Sequence, residues 1–285
     1  MPGTLFVVAT PIGNLEDITA RALRVLREVA VIAAEDTRRT AHLLARYAIT
    51  TSTTSLHEHN ETQKCASLIA RLERGDSIAL VSDAGTPTIS DPGQRLIRAA
   101  LDSGVRVESI PGPNAAIAAL AVSGVAGDTF TFLGFPPSRS NDRTKWLERA
   151  RQVGGTIVFY EAPHRILDTL AALKTVVGDC RLVVCRELTK AHEELVVGPI
   201  SIVLGKLKAP IGEFTVVAEL GHNTEIIQRV RPSDTEILDM FGQTTKRNKL
   251  PRRKVVTVLA KQLQIPPNEV YEAIERAKKS VKRPS

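Results

Sequence analysis

Short, fully apolar runs recur along the first 220 or so residues, most followed by stretches in which apolar positions return every three or four residues. The runs at residues 5–9, 31–34, 78–82 and 105–110 read as strands, and the stretch near residues 17–29 reads as the first helix. An unbroken run such as Ile78-Ala79-Leu80-Val81 suits a strand buried on both faces, as in a parallel sheet covered by helices. Asn114 stands before an alanine-rich segment, placed to cap a helix there. The repeated order of strand, Gly/Pro turn and helix predicts an α/β lobe over residues 1–125. Beyond a Pro/Ser/Arg-rich stretch at 134–141, strand candidates at 156–160, 182–185, 195–197 and 215–220 follow one another with fewer helices between them. That spacing predicts a second α/β lobe over residues 126–225, built on a mixed sheet. The pattern shifts again at 222–232. Residues 233–285 then read as three short helices, at 234–242, 251–263 and 267–279, a small helix-turn-helix-like module. Pro251 and Pro267 open the last two, as Pro does at a first helical turn.

Charge singles out that last module. The 285-residue chain carries a net +7, yet from Lys246 onward twelve Lys and Arg face only three Glu. The preceding 245 residues hold 26 basic and 28 acidic side chains and are slightly acidic. A positive excess confined to one small segment points to a polyanionic partner, foremost a nucleic acid. Composition mostly excludes: with 43% hydrophobic and 24% charged residues the chain fits neither disordered, collagen-like nor coiled-coil classes. Cys65, Cys180 and Cys185 are too few and too irregularly spaced for a disulfide framework or a zinc cluster, and they suit a reducing compartment. His57 and His59 lack an evident third metal ligand. The first residues lack the basic flank and long apolar core of a signal peptide, and the longest apolar run, 115–122, is far short of a membrane span. A cytoplasmic protein without a membrane or metal partner is the expectation.

Glycine and proline concentrate in the loops after strand candidates, at 10–14, 82–93 and 111–114. None is a Gly-x-Gly-x-x-Gly dinucleotide loop or a P-loop. In an open α/β sheet, ligands bind beyond the carboxyl ends of the strands, which places these three loops around a candidate pocket. The segment from Val81 to Gly93, with two Asp, two Pro and two Gly, is far longer than a strand-to-helix connection requires.

That segment, SDAGTPTISDPG at 82–93, resembles the signature of the tetrapyrrole-methylase superfamily, the class III methyltransferases that use S-adenosyl-L-methionine. ATPIGNLEDIT at 9–19, AEDTR at 34–38, HEHNE at 57–61, PGPNA at 111–115, YEAPHR at 160–165 and RELTK at 186–190 are similar to further family motifs and stand in the expected order. More narrowly, the chain resembles the branch that methylates a ribose 2′-hydroxyl, that of a cytidine in small-subunit (16S) ribosomal RNA, a branch to which a basic helical tail also belongs. The resemblance implies a two-lobed tetrapyrrole-methylase-like fold, usually a homodimer, with S-adenosyl-L-methionine folded into the cleft between lobes. Carried over by motif, the first lobe would hold the cofactor with Pro11, Gly13, Asp83, Gly85, Thr86, Ile89, Ser90, Gly112, Asn114, Ala115 and Ala116. The second lobe would add Tyr160, Glu161 and Glu187.

Asp36 and Arg38 follow a strand candidate and are either a catalytic pair or a loop-shaping ion pair. Lys190 is a candidate phosphate contact, joined as RNA-binding residues by Arg139, Lys246, Arg247, Lys249, Arg252, Arg253 and Lys254. The partner is then ribosomal RNA or the small ribosomal subunit. One departure from the family pattern is GFPPSR at 134–139, where relatives often carry Phe-Leu-Pro followed by adjacent basic residues. Two other readings stand beside this one: a tetrapyrrole or cobalamin-precursor methyltransferase, and a nucleic-acid-binding regulator without catalysis.

Overall fold

The computed structural model describes residues 1–207, 211–221, 233–248, 251–263 and 265–281. They fall into two units, Met1–His222 and Asn223–Ser285.

Strands β1 (Thr4–Val8), β2 (Val31–Ala34), β3 (Thr53–Ser55), β4 (Ile78–Val81) and β5 (Arg106–Ile110) form an all-parallel sheet in the order β3-β2-β4-β1-β5. Helices α1 (Ala20–Glu28), α2 (Thr37–Arg46), α3 (Glu61–Glu73), α4 (Gln94–Asp102) and α5 (Ala115–Ser123) alternate with them. Successive residues of a strand face opposite sides, and both sides are covered here. Ile32 and Ala34 of β2 pack with Leu26 of α1 and Leu44 of α2, while Val31 and Ala33 pack with Leu72 of α3 and Leu96 of α4. That double burial is why the central strands β2 and β4 contain no polar residue, unlike the edge strands β3 and β5.

A second sheet follows, with β6 (Phe130–Phe132), β7 (Gly155–Glu161), β8 (Arg181–Arg186), β9 (Glu194–Pro199) and β10 (Phe214–Leu220) in the order β6-β7-β10-β8-β9. Only β6 and β7 pair in parallel; the other pairs are antiparallel, so the sheet is mixed as expected. Helices α6 (Ser140–Val153), α7 (Ile166–Val177) and α8 (Ile200–Lys206) cover one face through Leu147, Leu170 and Val203. The other face, with Val158, Val183 and Val217, packs on Ala116 and Ala119 of α5. A helix that follows the last strand of the first sheet therefore closes the second. Its sequence, AAIAALAVS, has no polar side until Ser123, although Ile117 and Val122 on the side away from the sheet are exposed.

Local chemistry sets the helix starts. Asn114 Oδ1 accepts from the amides of Ala116 (3.0 Å) and Ile117 (3.2 Å), capping α5 as the sequence predicts. The first helix starts later than residue 17: residues 15–17 form a 3₁₀ turn, and Thr19 Oγ1 caps α1 by accepting from Ala22 N at 3.1 Å.

In the second unit, α9 (Asp234–Asn248), α10 (Arg252–Leu263) and α11 (Pro267–Val281) surround Ile237, Val255, Leu259, Val270 and Ile274. Ser233 and Glu236 form a reciprocal capping box at the start of α9. This helix runs past Gly242, where the sequence suggests an end. Phe241 is buried in the module's core, and that packing outweighs the roughly 1 kcal/mol that a mid-helix glycine costs. No helix among the described residues is long and apolar enough to cross a membrane.

Candidate active site

The carboxyl ends of the parallel strands carry loops tied together through residues 82–93. Thr10, just after β1, exchanges two backbone hydrogen bonds with Gly85 (2.8 and 3.0 Å), and its hydroxyl donates to Ser82 O. The Asp36 amide, after β2, donates to Asp83 Oδ1 at 2.9 Å, while the Asp83 amide donates to Glu35 Oε2 at 3.3 Å. Thr86 Oγ1 donates to Pro113 O, after β5, at 3.1 Å. Thus three loops converge on Asp83, Gly85 and Thr86 of a fourth. Gly85 has φ +78°, which suits glycine, but Thr88 (φ 71°) and Ser90 (φ 67°) hold left-handed backbone without that freedom. Glu187 (φ 50°) and Thr189 (φ 65°), after β8, do the same. Such conformations cost of order 1 kcal/mol or more each and collect at ligand loops.

Between the two sheets lies a cavity of about 360 Å³, within the range that small ligands occupy. The first lobe contributes Ile12, Asp83–Thr86, Ile89–Asp91, Asn114 and Ala115 to it, together with Glu35. From the second come Phe135, Tyr160–Pro163, Leu188 and Glu213–Thr215. Three carboxyl groups, Glu35, Asp83 and Asp91, crowd the first wall. Burial pushes Asp91 up to about 6, and the nearby charges of Glu35 and Asp83 add to that. Burial also raises Glu35 above the ordinary carboxylate range, with Asp83 contributing repulsion. Arg39 approaches Asp83 at 3.6 Å, one cation against three carboxyl groups, so the wall as a whole favours a positively charged ligand.

The opposite wall is organised by two polar groups, half-buried Tyr160 and buried Glu161. Tyr160 packs edge-on against Phe132 (4.9 Å between centroids) and tilted on Phe135 (5.3 Å), and its hydroxyl oxygen accepts from Ala116 N at 3.2 Å. The Glu161 side chain is fully buried and fully used. It accepts from Arg165 at 2.6 and 2.8 Å, from the Ala162 amide at 2.8 Å and from Thr169 Oγ1 at 2.6 Å. Arg165 also donates to Pro136 O (2.9 Å), which anchors the loop bearing Phe135.

Of the residues marked in the sequence as cofactor-binding, Asp83, Gly85, Thr86, Ile89, Ser90, Asn114, Ala115, Tyr160 and Glu161 line this cavity. Pro11, Gly13, Gly112, Ala116 and Glu187 do not line it. A Cβ on Gly13 would lie 2.5 Å from Lys190 Cγ and 2.9 Å from Leu188 O, so this glycine lets the loops of the two lobes touch. The Asn14 amide adds a hydrogen bond across that contact to Thr189 Oγ1 at 3.0 Å. Gly112 similarly leaves room beside Ala9, whose Cβ would be 3.1 Å from an added Cβ.

Asp36 and Arg38 are brought together, but not into the cavity lining. Asp36 caps α2 by accepting from Arg38 N (2.8 Å) and forms a two-pronged pair with its guanidinium. Hydrogen bonds from Arg38 hold the Asp36 carboxyl down at about 2. Lys190 bonds to Glu187 (2.9 Å) and Glu213 (3.0 Å); although burial works against its charge, those carboxylates hold it above the usual lysine range. Arg139, Arg252, Arg253 and Lys254 are exposed. Lys246 and Arg247 lie in α9 with side chains outside the described set, and Lys249 lies outside the described residues.

Sequence reasoning passed over Glu35, Asp91, Phe135 and Glu213 as site residues. Glu35 and Asp91 stood inside motifs already recognised, and what was missing was their burial. Phe135 stood in the GFPPSR stretch, which was read only as a departure from the family pattern, and Glu213 carried no local signal.

Comparison with known proteins bears on what this cavity serves. The model of the Tetrapyrrole (Corrin/Porphyrin) Methylases matches residues 4–203. The chain is 41% identical over 284 residues to a Pseudomonas aeruginosa protein named Ribosomal RNA small subunit methyltransferase I, covering 98% of this chain and 99% of that one. A Bacillus subtilis protein of the same name is 41% identical over 273 residues, covering 95% and 94%. The fold is shared with uroporphyrin-III C-methyl transferase from Thermus thermophilus, solved in complex with S-adenyl homocysteine (TM-score 0.55, 17% identity, 79% of this chain and 100% of that one).

Proposed function

Because the chain belongs to the tetrapyrrole (corrin/porphyrin) methylase family, we propose that it transfers a methyl group from S-adenosyl-L-methionine to the ribose 2′-hydroxyl of a cytidine in small-subunit (16S) ribosomal RNA. What supports this above all is the length of the match to the two bacterial relatives, which runs through the basic tail as well as both sheets. The uroporphyrin enzyme matches along its whole length yet accounts for 79% of this chain. A tetrapyrrole acceptor gives no reason for twelve cationic side chains beyond residue 245.

The donor set of the cavity fits the cofactor. Glu35, Asp83 and Asp91 offer negative charge to a cationic ligand, and Ile12, Ile89 and Phe135 offer apolar surface to a purine. Bound there, S-adenosyl-L-methionine supplies an electrophilic methyl group on a positively charged sulfur. Asp83, Gly85, Thr86, Ile89, Ser90, Asn114 and Ala115 would hold it from one lobe, and Tyr160 and the backbone at Glu161 from the other. Pro11, Gly13, Gly112, Ala116 and Glu187 set the loops in which these stand. The protein's chief task is orientation of two reactants, which alone is worth several kcal/mol of barrier. A proton must also leave the 2′-hydroxyl, and Glu35 and Asp91 are the cavity carboxyl groups whose raised proton affinity suits them to take it. Asp36, held at about 2, is a poor base; with Arg38 it clamps the turn that carries Glu35.

Arg139, Lys190 and the basic side chains of the tail hold RNA, and a second copy of the chain covers exposed apolar side chains such as Ile117 and Val122 of α5. The test is methyl transfer from labelled S-adenosyl-L-methionine to small ribosomal subunits from cells lacking this protein, followed by nucleoside analysis. Labelled 2′-O-methylcytidine is expected. Label in a base, or transfer to a tetrapyrrole acceptor instead, overturns the assignment.

A further inference from the structure

The helical module holds a cavity of its own, of about 380 Å³, which the reading above does not use. Phe241 of α9, Arg252, Arg253 and Val256 of α10, and Tyr271 and Ile274 of α11 line it. Its floor is firm, since Phe241, Val256 and Ile274 are buried members of the module's core. The rim is quite different. Tyr271 leaves 58% of its surface exposed. The Arg252 guanidinium carbon lies 5.7 Å from the centre of the Phe241 ring, and its approach to Glu275 is long, at 3.7 Å. Arg253 is exposed beside it.

Two aromatic rings and two guanidinium groups around one apolar hollow are a notable concentration in a chain only 4% aromatic. Each group has a counterpart in a nucleotide. Every base presents a flat π-face that stacks on aromatic and guanidinium planes, and a phosphate pairs with arginine. A base in a duplex is already stacked on both sides and cannot enter such a hollow without leaving its helix.

We propose that this cavity binds one unpaired nucleotide of an RNA strand, with the base between Phe241 and Tyr271 and the phosphate at Arg252 and Arg253. The proposal rests on the RNA reading above and deepens it: the module recognises single-stranded RNA rather than the outside of a helix.

The experiment uses the full-length chain and an RNA oligonucleotide carrying 2-aminopurine, offered single-stranded and fully paired, over a range of salt. Preferential binding of the single strand is expected, with quenching of the 2-aminopurine on stacking. Tyr271→Ala is expected to weaken it about tenfold, whereas Tyr271→Phe, which keeps the ring, stays near the unaltered chain. The salt dependence of Tyr271→Ala stays unchanged, while Arg253→Gln lowers the slope of log affinity against log salt by about one. Thermal melts accompany each variant, and Arg253→Gln carries the test should Tyr271→Ala disturb the module. Equal affinity for the paired form, equal loss in Tyr271→Ala and Tyr271→Phe, or no loss in any variant overturns the nucleotide site and leaves the RNA reading standing. Failure of the unaltered chain to bind any RNA overturns both.

Discussion

The two units of this chain treat charge in opposite ways. In the first, carboxyl groups turn inward: Glu35, Asp83 and Asp91 share one cavity wall, and Asp91 is driven up to about 6. In the second, cations turn outward, with Arg252, Arg253 and Lys254 exposed and ion pairs, such as Arg276 with Asp234 at 2.7 Å, formed at its surface. A wall of carboxylates attracts a small cation and repels a phosphate backbone, so one surface could not serve both ligands well. The separation lets each be bound on its own terms.

Removing residues 233–285 is the severest test of that separation. RNA affinity is expected to fall by at least about 100-fold, since the phosphate-neutralising side chains go with it, while S-adenosyl-L-methionine binding, read by calorimetry, stays within about twofold. Loss of both affinities would mean that the units do not act independently. Next in size is Glu161→Gln, which leaves Arg165 in a buried setting without its counter-charge. A loss of about 3–5 kcal/mol in urea unfolding is expected, with RNA binding by the tail preserved.

A pH titration sharpens the comparison further. Cofactor affinity is expected to rise about tenfold from pH 5 to pH 7 as Asp91 ionises around pH 6, and Asp91→Asn flattens the rise. Stability of the ligand-free protein runs the other way. Because the folded state raises the Asp91 pKa from 3.8, it holds the proton more tightly than the unfolded chain, so this group's contribution is present in acid and is lost as pH climbs from about 4 to 6. Binding and stability profiles of the same sign would remove Asp91 from the cofactor's surroundings. The smallest effect belongs to Asp36→Asn. Asparagine still caps α2, and an exposed ion pair with Arg38 adds little, so the thermal midpoint is expected to stay put while cofactor affinity changes by less than about threefold.

Much of this was legible along the chain, for reasons that differ by element. The central strands were visible because a strand buried on both faces tolerates only apolar residues, as in Val31–Ala34 and Ile78–Val81. The three-residue edge strands β3 and β6 were not, since TTS and FTF carry too few positions to form a pattern. The site loops announced themselves by Gly, Pro and Asp at fixed places, and nine of the marked residues meet in one cavity. Gly13 was marked for the right loop, but its space is taken by Lys190, more than 170 residues away.

The order of residues by itself determined the central strands and their alternation with helices, where Asn114 begins a helix, and that the positive charge is held in the tail. These depend on neighbours a few positions away or on simple composition. Tertiary structure alone decided that α5 closes the second sheet, that Glu161 is spent on Arg165, and that Glu35 and Asp91 share a wall that raises their hold on a proton. All three depend on burial, and the first and last also on groups brought in from distant parts of the chain. Desolvation and Coulomb energy act through space, and only folding sets those distances.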